Sequence, residues 1–429
     1  MARIAIVDIM FHWPPIGGAW VDLANVITGL QERGNEVKLF APDFPEYFQR
    51  GRIEGELPFE YETIPFNRFS FNFITAPKRF RQAVDKFQPD YVMMGDGYFM
   101  KPWLAKAFEK KFKTIIRFFA YEIICAQNCF YPPKVFGPHT TTVRPGDFCD
   151  TNFFENPDGC KKCFMPAWRF VNHAPRLIRK RKGTNVELQY YQEWVGAVGF
   201  TKTYQRAVKS SLANAHAVIT YNNFGRRLLE PHAKRVEVIP GGVKCSDFGP
   251  AAPTGAVHGE KAVILFTGRM DDPVKGLEIV KGALNILASR RDDFSLLITA
   301  GPHVPASENY CYRAPWIAPD RMPEIYRKGD IFVVAPLWQE PFGLIAVEAM
   351  ASGLPVIATR VGGLQTIVED GVTGFLVEPG DSLALSEKIK LLLDNPKLRQ
   401  EMGAKGRERA EKVFDWDVVI DKHYMPLFE

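Results

Sequence analysis

The stretch that most constrains this chain is residues 331–380, IFVVAPLWQEPFGLIAVEAMASGLPVIATRVGGLQTIVEDGVTGFLVEPG. The apolar run Ile331–Leu337 predicts a buried parallel strand that stops at Gln339-Glu340-Pro341. After the Phe342-Gly343 turn, Leu344–Met350 predicts a short apolar helix carrying one acid, Glu348. Gly353 ends that helix, Pro355–Thr359 predicts a second buried strand, and Gly362-Gly363 a tight turn. Strand, glycine turn and helix N-terminus in that order make a pocket for an anion. The free N–H groups of Gly343, Leu344 and Ile345 and the positive end of the helix dipole point at whatever occupies the strand's carboxyl end. Glu340 and Glu348 flank that pocket, one before the turn and one within the helix.

The ordered pattern E-P-F-G-L-x-x-x-E-A-M-A-x-G-x-P-V-I-A-T-x-x-G-G begins at Glu340 and continues to D-G-x-x-G-x-L-V-x-P-G-D, which ends at Asp381. It resembles the donor-site signature of retaining GT-B glycosyltransferases of family 4. By that resemblance Glu340 contacts hydroxyls of a donor sugar, Glu348 holds the nucleotide ribose, and Phe342 with the backbone of Gly343, Leu344 and Ile345 lines the diphosphate. Gln365 departs from the pattern, since many members carry a Glu after the Gly-Gly turn.

The implied fold class is α/β of GT-B type: two Rossmann-like domains facing each other across a cleft. The expected division is 1–240 for an acceptor-side domain with a Cys-rich insert at about 120–170, 241–412 for the nucleotide-sugar domain, and 413–429 for a helix crossing back. A chain of 429 residues is long enough for two such cores. The N-terminal run Arg3–Ile9 contains an acid and leads straight into a glycine loop, so it reads as a first core strand and not as a signal peptide. No stretch is apolar for as long as a spanning helix requires. The expected location is therefore the cytoplasm. There seven cysteines are thiols or metal ligands sooner than disulfides. Net charge is +5, but residues 166–235 hold thirteen Lys and Arg against three acids, which predicts a basic face on the first domain. That face suits peripheral contact with a membrane; no nucleic-acid motif accompanies it, and no nucleic acid is expected.

Taken from the N-terminus, Met10–Gly18 is a loop with Gly17-Gly18, followed by a helix whose Trp20, Leu23, Ala24, Ile27 and Leu30 form one apolar stripe. The absence of G-x-G-x-x-G removes a dinucleotide cofactor from consideration. Gly17 and Gly18 read either as a simple turn or as backbone approaching a ligand; the resemblance favours the second, over the donor phosphates. Residues 66–82 interleave aromatics with Arg and Lys. They read either as a packed loop and helix or as a surface for an acidic or lipid-linked acceptor.

Cys125, Cys149, Cys160 and Cys163 include one CxxC knuckle and could hold a structural Zn²⁺ that staples a Pro-rich loop, with Cys129 as an alternative to Cys125. Unligated thiols are the competing reading. The histidine that many members carry in the first domain is missing from Arg117–Glu122, and His139 and His173 are the substitutes at hand. Gly249–Gly259 reads as a linker, and Ala262–Thr267 as the first strand of the second domain. Arg269 and Lys275 follow it; two cations at a strand's carboxyl end suit a diphosphate. The resemblance makes them neutralise the leaving nucleoside diphosphate, so that catalysis needs no cofactor and no divalent metal.

The function expected is retaining transfer of a sugar from a nucleotide-diphosphate sugar to a hydroxyl on an acceptor glycan, lipid-linked sugar or other compound. Glu340, Arg269 and Lys275 carry the chemistry. Two alternatives share the signature: a nucleotide-sugar epimerase of the same fold, or a non-catalytic subunit that binds a nucleotide sugar.

Overall fold

The structure is a computed structural model and describes residues 1–429 except 16, 45–50, 68–69, 98–99, 123, 126–155, 157, 161–201, 250–260, 269–272, 300–307 and 316. The apolar runs become two wholly parallel sheets. In the first, β1 (Arg3–Val7), β2 (Glu36–Asp43), β3 (Tyr61–Pro65), β4 (Tyr91–Met94), β5 (Lys113–Arg117), β6 (Ala217–Thr220) and β7 (Val236–Val238) lie in the order β3-β2-β1-β4-β5-β6-β7. In the second, β8 (Ala262–Phe266), β9 (Phe294–Thr299), β10 (Cys311–Ala314), β11 (Ile331–Val334), β12 (Val356–Thr359) and β13 (Gly374–Val377) lie in the order β10-β9-β8-β11-β12-β13. The central strands are buried throughout, as parallel strands covered by helices on both faces must be.

Helix Gly18–Glu32 buries Leu23, Ala24, Ile27 and Leu30, four of the five residues of its predicted stripe. Gly34, at φ +82, turns the chain out of it into β2. Each sheet has its own core. The first gathers Val7, Phe40, Phe80, Val92 and Ile116, and the second Phe266, Leu284, Ile298, Val333 and Ile389. By contacts the chain forms two units. Among the described residues the first contains β1–β7 and Ile420–Glu429, and the second contains Pro240–Val419. The C-terminal segment joins the first unit through an Arg33–Asp421 ion pair at 2.6 Å and the ring of Tyr424, 5.5 Å from the Arg117 guanidinium.

In both sheets the chain leaves the strand that comes first in sequence in one direction and returns on its other side. The resulting crevices, between β1 and β4 and between β8 and β11, are the switch points at which open α/β sheets bind ligands. Among the described residues no helix is long and apolar enough to cross a membrane.

Candidate active site

At the switch point of the second unit, β11 ends at Val334, and Ala335, Pro336 and Leu337 stay buried as the chain leaves the sheet. The Leu337 N–H donates to the Val274 carbonyl at 2.7 Å, tying the short 3-10 turn Pro273–Lys275 to this edge. Gly276 follows at φ +81, and a Cβ there would overlap the Ala335 carbonyl oxygen. Only glycine lets the turn press this closely against the strand end.

The turn delivers Lys275, whose ammonium lies 2.9 Å from Glu340 Oε2; the two side chains are 20% and 14% exposed. The indole N–H of Trp338 donates to the same oxygen at 2.7 Å, and the ammonium lies 4.9 Å from the centre of the Trp338 ring. The backbone beneath is fixed as well. The Gly363 N–H donates to the Glu340 carbonyl at 2.8 Å, and the Gly362 N–H to Gln339 Oε1 at 2.9 Å. A Cβ on Gly362 would overlap that Glu340 carbonyl, so the Gly-Gly turn acts as a brace for the Glu340 loop.

Helix Leu344–Ala351 starts beside this loop with Gly343 at its N-cap, and no side chain caps it. Its first-turn N–H groups and dipole are thus available to an anion. Glu348 lies inside the helix, and its Oε2 accepts the Tyr326 hydroxyl at 2.6 Å. Burial pushes the Glu348 carboxyl above the ordinary carboxylate range, against the lowering effect of that hydrogen bond. Burial, and then the charge of Glu348, pushes Tyr326 well above the usual phenol range.

The structure therefore brings together Lys275, Glu340 and the 343–345 backbone, with Glu348 on the same helix. Phe342 is buried, its ring edge-on to Phe414 at 6.0 Å. Leu344 and Ile345 are half-buried. Arg269 lies outside the described residues. Gly17 and Gly18 belong to the first unit: Gly17 is the extended N-cap of helix Gly18–Glu32, and a Cβ on it would come within 3.2 Å of the Trp20 ring. Trp20 in turn donates its indole N–H to the Met10 carbonyl at 2.7 Å, which closes the loop on itself. Cys125 and Cys160 are half-buried against the first core, while Cys129, Cys149, Cys163, His139 and His173 lie outside the described residues. Among the described residues no cluster of three or more His, Cys, Asp or Glu is arranged to hold a metal.

Three features escaped the reading of the sequence. Trp338 stands two residues before the motif, and its bond to Glu340 depends on a rotamer. Tyr326 belongs to no motif, and its partner Glu348 is 22 residues away. The third is the set of buried charges in the first unit. There Asp8, 1% exposed, accepts the N–H groups of Met10 at 2.8 Å and Asp96 at 2.7 Å. Arg117 pairs with Asp22, and Lys101 with Glu122. An acid at the end of the apolar run Arg3–Ile9 was the one visible signal of this set.

Comparison with known proteins places the site in context. Residues 261–395 match the family model described as Glycosyl transferases group 1. A D-inositol 3-phosphate glycosyltransferase of Acidothermus cellulolyticus is 35% identical over 211 residues, 44% of this chain and 46% of that protein. The sulfoquinovosyl transferase SQD2 of Arabidopsis thaliana is 34% identical over 171 residues, 38% of this chain and 32% of that protein. The chain thus spans about half or less of the length of these curated relatives.

Among solved structures, sucrose-phosphate synthase from Thermosynechococcus elongatus aligns over 100% of this chain and 99% of its own, with a TM-score of 0.65 at 20% identity. Anabaena Alr3699/HepE in complex with UDP-glucose also gives a TM-score of 0.65, at 15% identity and the same coverage. These likenesses concern the fold. Residues 261–395 are therefore similar to the glycosyl transferases group 1 family, and the chain has the two parallel-sheet α/β units of the GT-B glycosyltransferase fold.

Proposed function

We propose that this protein is a retaining glycosyltransferase that moves a sugar from a nucleotide-diphosphate sugar to an acceptor hydroxyl in polysaccharide, glycolipid or glycoconjugate synthesis. The observation that carries the reading is the convergence of Lys275 and Glu340 on the uncapped start of helix Leu344–Ala351, inside the segment that matches the family model. The acceptor oxygen bonds to the anomeric carbon as the bond from that carbon to the diphosphate oxygen breaks. The acceptor's proton passes to the departing phosphate. Lys275, Arg269 and the 343–345 N–H groups stabilise the charge that develops on the diphosphate. Glu340 orients the sugar and Glu348 the ribose. This arrangement supplies the electrostatics of leaving-group departure from protein groups, so the reading requires no divalent metal.

A thermal-shift panel of UDP, GDP, ADP and CMP with their common sugar conjugates tests the reading, UDP-glucose first because a fold neighbour binds it. A ligand at 100 times its dissociation constant adds about 2.7 kcal/mol of stability. The expected result is a shift with one nucleotide family, followed by transfer to a hydroxyl acceptor with the anomeric configuration kept. No shift with any conjugate, or turnover of the donor with no acceptor present, overturns it.

The proposal extends to a structural Zn²⁺ held by Cys125, Cys149, Cys160 and Cys163. Its support is that Cys125 and Cys160, 35 residues apart in sequence, pack against one core. Elemental analysis should find about one zinc per chain, lost in Cys160→Ser; a metal-free folded chain would remove it.

A further inference from the structure

Glu340 is held unequally. Its Oε2 takes both the Lys275 ammonium, at 2.9 Å, and the Trp338 indole N–H, at 2.7 Å. Among the described residues nothing donates to Oε1. A carboxylate offers about four lone-pair positions on two oxygens, so among the described residues half of its accepting capacity is unused. The indole does two jobs at once. Its N–H fixes the carboxylate, and its face takes the ammonium at 4.9 Å, so the cation is confined between ring and carboxylate. Among the described residues Lys275 gives one of its three protons, to Glu340. The turn that delivers Lys275 has no freedom to retreat, because Gly276 is pressed against the Ala335 carbonyl and the Leu337 N–H grips the Val274 carbonyl.

We propose that Trp338 is the positioning residue that sets donor-sugar recognition, holding Glu340 so that Oε1 accepts a sugar hydroxyl while Lys275 meets the diphosphate. This inference rests on the nucleotide-sugar reading above. It adds that the sugar must present a hydrogen-bond donor to Oε1. A deoxy sugar at that position leaves a desolvated carboxylate oxygen unpaired and is rejected more strongly than loss of one contact would suggest.

The experiment compares affinities of the full chain for UDP-glucose, UDP-N-acetylglucosamine, GDP-mannose and ADP-glucose with those for UDP, GDP and ADP, by calorimetry. For the tightest nucleotide sugar, Trp338→Phe keeps the ring face and loses the N–H. It should reduce the advantage of nucleotide sugar over bare nucleotide by about fivefold, with affinity for the bare nucleotide unchanged. Trp338→Leu also releases Lys275 and should weaken both ligands. A merely structural tryptophan would lower both affinities in parallel in Trp338→Phe, which overturns the proposal. An unchanged advantage in both variants, together with its collapse in Glu340→Gln, overturns it too and leaves the nucleotide-sugar reading standing. If Glu340→Gln also changes nothing, Glu340 does not meet the sugar and this inference fails while the nucleotide-sugar reading stands; if no conjugate binds the unaltered chain, the nucleotide-sugar reading itself fails and takes this inference with it.

Discussion

At the switch between β1 and β4, Asp8 is buried and both its oxygens accept backbone N–H groups, from Met10 and Asp96. At the switch between β8 and β11, Glu340 is 14% exposed and, among the described residues, is held through one oxygen alone. The groups around each acid differ in the same way. In the first unit Arg117 pairs with Asp22 and also donates to the Tyr221 hydroxyl at 3.2 Å, with the Phe119 ring 4.6 Å from its guanidinium. Lys101 pairs with Glu122 and donates to the Arg117 carbonyl at 2.6 Å. These cations spend their charge on carboxylates of the same unit. In the second unit Lys275 serves one carboxylate that keeps an open oxygen, next to an uncapped helix start. Removing one partner of such a buried pair in the first unit leaves an uncompensated charge, so these residues read as structural. A partly buried pair with accepting and donating capacity unused among the described residues is what the proposed ligand role requires.

The largest effect that would break this contrast is in the first unit. Arg117→Met leaves Asp22 buried without its cation and should cost about 3–5 kcal/mol in urea denaturation. A loss below about 1 kcal/mol would mean that the pair is not structural. Next, Gly276→Ala forces a side chain into a left-handed backbone position and against the Ala335 carbonyl. It should destabilise the second unit by about 1–3 kcal/mol and weaken nucleotide binding with it. Normal binding would show that the turn can shift without moving Lys275.

Lys275→Ala and Glu348→Ala should each slow transfer at least about tenfold, a loss of about 1.4 kcal/mol in transition-state stabilisation. Initial rates at saturating donor decide this, and near-normal rates in both would detach the second switch from catalysis.

The smallest effect, read per pH unit, sharpens the comparison from the other side. Burial, and then the charge of Asp96, raises Asp8 from 3.8 to about 7, outweighing its two backbone hydrogen bonds and the Lys101 charge. The folded state then holds a proton that the unfolded state has released. Stability from this group is present below about pH 4 and is lost as pH rises through 7. The wild type should lose at most about 1.4 kcal/mol per pH unit across that window relative to Asp8→Asn. Parallel stability curves for the two proteins would show that Asp8 is ionised throughout.

Much of the fold was legible because its signals are local. The apolar runs at 262–267 and 331–337 are too short and too continuous for amphipathic helices, and they became β8 and β11 with its buried extension. The stripe from Trp20 to Leu30 became one helix, although Trp20 turned its indole to the Met10 carbonyl and stayed half-buried. The site was legible as a set of types: two acids, a cation and a glycine turn. Which oxygen each acid would spend was not, because that depends on side-chain directions across elements.

By itself the sequence determined the strand–turn–helix order of 331–363, since the left-handed backbone that Gly343 and Gly362 supply is a local property of the chain. Only the tertiary structure decided the partners. Lys275 meets Glu340 across 65 residues, Tyr326 meets Glu348 across 22, and Arg117 meets Asp22 across 95. Hydrogen bonds and ion pairs act over a few ångströms, and the chain brings such distant residues within that range only once the sheets have set the order of their strands.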